Sequence, residues 1–207
     1  MSTKNVYNLI VLDESGSMES IKDVTIDGFN EVVQTVQGIE KQFPEQKHFI
    51  SLVTFNGLEI KTVLHKKPVS KLRQIDKRRY QPQASTPLFD AIGYSVSRLK
   101  AELEGDNNQV LVTILTDGCE NSSREYNHLQ IKNLIEKRKA EGWTFTYIGT
   151  DHDVESVAFS LSVENTIRFS KDEAHMKQMF NREKSARQRY SDKLRKGENV
   201  SADFYIE

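Results

Sequence analysis

Apolar residues gather along the chain in short runs that have the length and composition of β-strands. The first run, residues 6–12, is mostly Val, Ile and Leu, a pattern typical of a strand buried on both faces of a parallel sheet. Turn-forming residues separate the runs, and Asn56-Gly57 joins two of them as a hairpin. The pattern predicts six strands, at residues 6–13, 48–55, 58–65, 109–116, 143–149 and 165–169.

Between these runs, apolar residues recur at the spacing of amphipathic helices. Helices are predicted at residues 21–43, 88–103, 154–161 and 171–196, and a further helix is predicted to begin with residues 129–135. Val69, Leu72 and Ile75 suggest one short helix in the basic segment 66–83, which is otherwise predicted to be a solvated loop. Strands and helices alternate throughout. With right-handed crossovers, this order favours an α/β fold: a doubly wound, mostly parallel sheet with one antiparallel edge strand and helices on both faces.

The composition is that of one folded unit. The 207 residues contain no Pro/Gly/Ser-rich linker and no internal repeat, so a single domain over residues 1–207 is predicted, with 171–196 as its C-terminal helix and 197–207 as a tail. Hydrophobic residues make up 37% and charged residues 29%, but the apolar residues are concentrated enough to form a core. The formal net charge of −1 argues against a protein that binds nucleic acid or a membrane surface.

Features of secreted and membrane proteins are missing from the sequence. The first residues, MSTKNVYN, lack a long apolar segment, and no stretch approaches the ~20 apolar residues that cross a bilayer. The single cysteine, Cys119, excludes an internal disulfide and fits a reducing compartment. We therefore expect a cytoplasmic protein.

The candidate chemistry lies where the first predicted strand ends. There Asp13 is followed by Ser15 and Ser17 in a short Ser/Gly turn, and ligands of open α/β sheets gather at the carboxyl ends of the strands. Carboxylate and hydroxyl oxygens are hard donors that suit Mg²⁺, Mn²⁺ or Ca²⁺. The alternative is that one of these residues, or Ser20, only caps the following helix, since Asp and Ser are preferred caps.

Two distant segments extend this cluster. Thr86 stands in a Ser-Thr-Pro turn before a predicted helix, and Asp117 follows the strand at 109–116. If the two strands are parallel and close, Asp13 and Asp117 project from the same sheet edge, and Thr86 approaches from a neighbouring loop. The combination D-x-S-x-S, T-P-L and T-D-G resembles the metal-ion-dependent adhesion site of the von Willebrand factor type A (vWA) family, over residues 5–168.

The resemblance implies a Rossmann-like vWA fold and a particular use of the site. Ser15, Ser17 and Thr86 would bind Mg²⁺ or Mn²⁺ (Ca²⁺ is also acceptable) directly, while Asp13 and Asp117 act largely through waters. The ion would keep an open position for an Asp or Glu of a protein partner. Stand-alone intracellular members of bacterial type tend to serve with ATPases, kinases or stress-resistance systems. A partner from an ATPase or kinase system is therefore expected, without nucleic acid or membrane.

An enzymatic role is the alternative. A hard metal at a sheet edge can activate water, which keeps a metal-dependent hydrolase or phosphatase open. Against it, the sequence has no phosphate loop, no H-E-x-x-H zinc pair and no G-x-S-x-G elbow. Ser15 also stands where phosphotransferases with a nucleophilic strand-end Asp generally have a second acid. We therefore predict a binding module that is not an enzyme, with metal ligands Asp13, Ser15, Ser17, Thr86 and Asp117.

Other charged residues are assigned structural roles. Asp90 is predicted to be a first-turn acid favoured by the helix dipole, and Glu120 a solvated loop acid rather than an auxiliary site residue. The trio at residues 151–153, Asp-His-Asp, suggests a second metal site or, more simply, a helix cap. The C-terminal helix is predicted to pack a loose apolar stripe on the sheet. Its basic face suggests a contact with an acidic partner or nucleic acid or, more simply, a solvated surface. In the resembling family this helix slides when the metal site changes ligand.

Overall fold

Six strands form one mixed sheet at the centre of the fold. The structure, a computed structural model, describes residues 3–105, 107–150 and 154–206. The strands are β1 Lys4–Asp13, β2 Gln46–Phe55, β3 Ile60–Pro68, β4 Asn108–Leu115, β5 Thr144–Thr150 and β6 Asn165–Phe169. Their order is β3-β2-β1-β4-β5-β6, and every neighbouring pair is parallel except β2 with β3. The predicted fold class is confirmed, including the antiparallel edge strand.

The helices lie close to their predicted positions. They are α1 Lys22–Gln42, α2 Leu88–Ala101, α3 His128–Ala140, α4 Val154–Ser160 and α5 Glu173–Lys196. A 3₁₀ turn, Gly16–Ile21, precedes α1. The predicted short helix in the basic segment is a single 3₁₀ turn, Val69–Lys71, because the backbone is already extended at Leu72. Among the helices described, none is both long and apolar enough to cross a bilayer.

Each face of the sheet carries its own hydrophobic core, because the side chains of a strand alternate between the two faces. In β1, Ile10 and Leu12 pack with α1 and α5, whereas Leu9 and Val11 pack with α2, α3 and α4. The strand is therefore buried on both sides, as its continuous apolar run predicts. With helices on both faces, polar side chains meet at the ends of the strands.

The C-terminal helix α5 is held by polar bonds as well as by its apolar stripe. The stripe is buried as predicted, at Met176, Met179, Phe180, Tyr190 and Leu194. Arg187 departs from the predicted exposed basic face, because its side chain is only 2% exposed. It donates to Glu183 on the same helix, to Asn8 of β1 and to Thr113 of β4. These bonds tie α5 to the two central strands.

Residues 197–206, which follow α5 in the predicted tail, pack on the fold. Val200, Phe204 and Tyr205 are buried and belong to the core on the α5 side of the sheet. The Phe204 N–H donates to the Asn165 side chain at 2.9 Å, and the Tyr205 hydroxyl donates to Glu183 at 2.6 Å. The segment after Lys196 thus completes one of the two cores.

Candidate metal centre

The first half of the site is formed by Asp13, Ser15 and Ser17 at the end of β1. Asp13 is the last residue of the strand and is fully buried. Its Oδ1 accepts the Ser15 backbone N–H at 2.7 Å, and the two serine hydroxyl oxygens lie 3.1 Å apart. The Ser15 side chain makes no capping bond, and α1 begins after Ile21 without a side-chain cap. The capping alternative is therefore wrong for this turn.

The second carboxylate, Asp117, comes from the neighbouring strand. Because β1 and β4 are adjacent and parallel, their carboxyl ends share one edge of the sheet. Ser17 Oγ donates to Asp117 Oδ1 at 2.6 Å, and the Thr116 hydroxyl donates to Asp13 Oδ2 at 2.6 Å. These two bonds join positions that are 100 and 103 residues apart in the chain.

Thr86 lies beside this pair, in the turn before α2. It is buried, and Asn121 holds its backbone on both sides, accepting the Thr86 N–H at 2.8 Å and donating to the Thr86 carbonyl at 3.2 Å. A side-chain carbon on Gly118 would lie 3.7 Å from the Thr86 hydroxyl oxygen and 4.0 Å from that of Ser17. Both hydroxyls thus face the loop after Asp117, and all five predicted residues meet at one sheet edge.

The electrostatics of the site favour a cation. Burial raises the pKa of the Asp13 carboxyl to about 6, and the Asp117 charge adds to this rise, although bonds from Thr116 and Ser15 oppose it. Asp117 Oδ2 is buried and has no hydrogen-bond donor among the described residues, while Lys171 Nζ lies 3.0 Å away. Two carboxylates and three hydroxyls form an all-oxygen donor set of the kind that Mg²⁺ and Mn²⁺ take, so these residues fit a divalent ion.

Clusters of three or more His, Cys, Asp or Glu side chains that could hold a metal are not found in the ranges that the structure describes. The candidate centre therefore depends on its hydroxyls as much as on its two carboxylates. The cap or second metal site predicted at residues 151–153 lies outside the described residues.

The loop before Thr86 supports the site, and its role was missed in the sequence. Tyr80 is fully buried, and its hydroxyl donates to the Asp13 carbonyl at 2.6 Å. The Glu14 carboxylate accepts the Gln81 N–H, and the Glu14 carbonyl accepts the N–H of Gln83 at 2.9 Å. The prediction of a solvated loop is therefore wrong at Tyr80. The signal was a large aromatic residue at the end of an otherwise basic run.

Glu120 and Asp90 fasten the Asp117 loop to the start of α2. The Glu120 carboxylate accepts the N–H groups of Phe89, Ser122 and Ser123 at 2.7 to 2.9 Å. Asp90 in turn accepts three consecutive backbone N–H groups, at residues 124–126. Asp90 lies in the first turn of α2, as predicted. The prediction of a solvated acid is wrong for Glu120, because backbone N–H groups of the protein engage its carboxylate.

An α/β fold with buried carboxylates and hydroxyls at the carboxyl edge of its parallel strands defines the class of protein. The family model for the von Willebrand factor type A domain matches residues 9–190, and the chain belongs to this family. Domains of this family generally mediate protein–protein interaction. No curated protein matches the chain.

Solved structures share the fold at low sequence identity. Proximal thread matrix protein 1 (PTMP1) from the mussel byssus has a TM-score of 0.59 at 15% identity, covering 86% of this chain and 45% of its own. The pilus adhesin SpaC from Lactobacillus rhamnosus GG has a TM-score of 0.63 at 13% identity, and the match covers 89% of this chain and 30% of SpaC. The SpRpn10 VWA domain has a TM-score of 0.60 at 10% identity, and the match covers 87% of this chain and 95% of that domain. The chain spans less than half of the first two proteins, and these similarities establish the fold alone.

Proposed function

We propose that this protein is a metal-dependent protein-binding module, a cytoplasmic vWA protein of bacterial type. Its metal would be Mg²⁺ or Mn²⁺, with Ca²⁺ also accepted, held by Asp13, Ser15, Ser17, Thr86 and Asp117. When bound, the ion supplies positive charge and a coordination position that an Asp or Glu carboxylate of a partner can fill. The partner would be a protein, for example from an ATPase or kinase system.

The observation that carries the proposal is the convergence of these oxygens at one sheet edge. The Ser17–Asp117 and Thr116–Asp13 bonds hold the two carboxylates side by side. Within the described ranges Asp117 Oδ2 has no aligned hydrogen-bond donor, and the Lys171 ammonium lies 3.0 Å from it. The three hydroxyls are neutral, and if Asp13 and Asp117 act largely through waters, as the family resemblance implies, the ion keeps positive charge that a partner carboxylate can meet. A carboxylate contact to such a charge is strong and depends strictly on geometry, which gives specificity from a small polar surface.

We propose no catalytic activity for the site. Hydrolysis at a metal centre also needs a group that accepts a proton or attacks the substrate. The Asp13 carboxylate is already bonded to the Ser15 N–H and the Thr116 hydroxyl, and the Glu120 carboxylate is taken by backbone donors. Purified protein with Mn²⁺ is therefore expected not to turn over phosphate esters, and turnover abolished by Asp117→Asn would favour the hydrolase instead.

Thermal unfolding with and without Mg²⁺ or Mn²⁺ tests the metal site. A ligand at 100 times its Kd adds ~2.7 kcal/mol of stability, which raises the melting temperature by roughly 5–10 °C in a protein of this size. Asp13→Asn should abolish the rise. Because burial raises the pKa of Asp13, the neutral variant is expected to fold at least as well as the wild type without metal, so loss of binding is not confused with misfolding.

The matched control for this experiment is Asp192→Asn. Asp192 lies near the end of α5 and pairs with Lys196, so the variant should keep the full response to metal. If neither a melting shift nor heat of binding is seen at millimolar Mg²⁺ or Mn²⁺, the metal site is refuted. Partner capture is tested by a pull-down with wild type and Asp13→Asn, each with and without chelator. A partner retained equally in all four conditions would refute metal-dependent binding.

A further inference from the structure

Lys171 brings a positive charge to the candidate metal centre from a distant part of the fold. It follows β6, the outermost parallel strand, and precedes Asp172, which caps α5. Since β5 lies between β6 and β4, the lysine side chain reaches across the end of one strand to Asp117. The Lys171 Nζ atom lies 3.0 Å from Asp117 Oδ2.

This contact differs from the surface ion pairs of the protein. In the pair between Lys177 and Glu173, both side chains are more than 60% exposed, and such pairs contribute little. The Asp117 side chain is 0% exposed, and that of Lys171 is 29% exposed. Among the described residues, no other ammonium or guanidinium lies within ion-pair distance of Asp13 or Asp117. Lys171 is thus the counter-ion of the buried carboxylate pair.

The contact is also one that a metal ion can replace. Asp117 Oδ1 accepts the Ser17 hydroxyl, but Oδ2 has no aligned donor, even though the ammonium is close. The attraction is therefore mainly one of charge, and a divalent cation supplies more charge from the same side. Lys171 also borders a groove of about 580 Å³ that is lined by Asp27 and Glu31 of α1. These acids give the groove negative charge and, together with Glu173, which has the largest effect, they raise the pKa of Lys177, another lining residue.

We propose that Lys171 competes with the divalent ion for Asp117 and thereby sets the metal affinity of the site. The inference rests on the proposed metal-binding function. The two carboxylates carry two negative charges, and the ammonium cancels one, so an incoming divalent ion meets a weaker attraction than the carboxylates alone would give. With the ion bound, the same ammonium leaves the site more positive, which favours an anionic group on a partner.

Replacing the lysine charge tests this competition. Lys171→Met should bind Mn²⁺ about tenfold more tightly than the wild type, within the range usual for coupled binding events, as measured by calorimetry and by the paramagnetic resonance of free Mn²⁺. Lys171→Arg keeps the charge and should stay close to the wild type. Lys177→Met removes a lysine from the same groove without touching Asp117, and it should leave the Mn²⁺ affinity unchanged.

Melting temperatures separate competition from a merely structural ion pair. In chelator, Lys171→Met should melt below the wild type, because Asp117 loses its counter-ion. At saturating Mn²⁺ this difference in melting temperature between the variant and the wild type should disappear or change sign. A variant that melts below the wild type by the same amount in both conditions, or that binds Mn²⁺ no more tightly, would overturn the role of Lys171.

A second charge-free variant, and a comparison of its metal binding with that of the wild type, separate failure of the Lys171 proposal from failure of the metal site. If Lys171→Met fails to fold, Lys171→Gln removes the charge while keeping a polar tip, and the same comparison applies. If neither the wild type nor the charge-free variant binds Mn²⁺ although both are folded, the metal-binding function itself fails. If both bind equally, the metal site stands and only the competition by Lys171 is refuted.

Discussion

The buried pair of Arg187 and Glu183 allows a sharp prediction about what holds α5 in place. Their side chains are 2% and 1% exposed and approach to 2.7 Å. Arg187 also donates to Asn8 and Thr113 at 2.8 Å each, and Glu183 accepts the Tyr205 hydroxyl. Arg187→Met fits the same space with an apolar chain, but it leaves the Glu183 carboxylate buried with one neutral donor.

The cost of this substitution can be worked out from burial. Breaking a buried ion pair by removing one partner typically costs about 3–5 kcal/mol, because the remaining charge is uncompensated. That is a large share of the roughly 5–15 kcal/mol that stabilises a domain. The double variant Arg187→Met with Glu183→Leu buries no charge. It should therefore be more stable than Arg187→Met alone, with a coupling energy of at least ~2 kcal/mol between the two sites.

Urea unfolding of the wild type, both single variants and the double variant measures this coupling. Trp143, the one tryptophan of the chain, is buried against the sheet and reports unfolding by fluorescence. The reasoning is refuted if the losses in unfolding free energy of the two single variants simply add in the double variant, with a coupling energy below ~0.5 kcal/mol. It is also refuted if Arg187→Met is as stable as the wild type.

The same network bears on the expectation that α5 moves when the metal site changes ligand. A slide of one helical turn, about 5.4 Å, would separate Arg187 from Asn8 of β1 and from Thr113 of β4, to which it is bonded. Any sliding of α5 must therefore break these bonds or re-form them elsewhere. Helix motion stays a prediction from the family resemblance, and the buried arginine opposes it.

Three further substitutions test the titration and the packing of the core. Burial lowers the pKa of His48 from 6.5 to about 4, so the stability that comes from its neutral ring is complete above pH 6.5 and is lost, by about 3 kcal/mol, as the pH falls towards 4. In urea unfolding, His48→Gln should flatten this fall relative to the wild type, and an unchanged pH slope would contradict it. Gly28→Ala would place a carbon 2.0 Å from the Phe180 ring and should cost about 1–3 kcal/mol. Gly38→Ala, on the same helix with no atom within 4 Å, should instead stabilise by roughly 0.5–1 kcal/mol. Equal melting temperatures for these two variants would contradict the argument.

Much of the candidate site could be predicted because its residues follow strand ends. An apolar run that stops at Asp13, and another that stops just before Asp117, are visible in the sequence without any knowledge of the fold. In a parallel sheet, the carboxyl ends of the strands lie at one edge by geometry alone. Local patterns therefore predict both the sheet and the meeting of these two carboxylates, which the structure holds through Ser17 and Thr116.

The roles of Lys171 and Tyr80 at the site, and of Arg187 beneath α5, were decided by the tertiary structure. Lys171, Tyr80 and Arg187 look in the sequence like members of polar or basic segments. Their roles depend on strand order, on the reach of a long side chain and on which face of a helix is covered. None of these features produces a periodic pattern in the local sequence. Burial then increases the energetic effect of these side chains. A charge that interacts weakly with its neighbours in water interacts strongly with them once solvent is excluded.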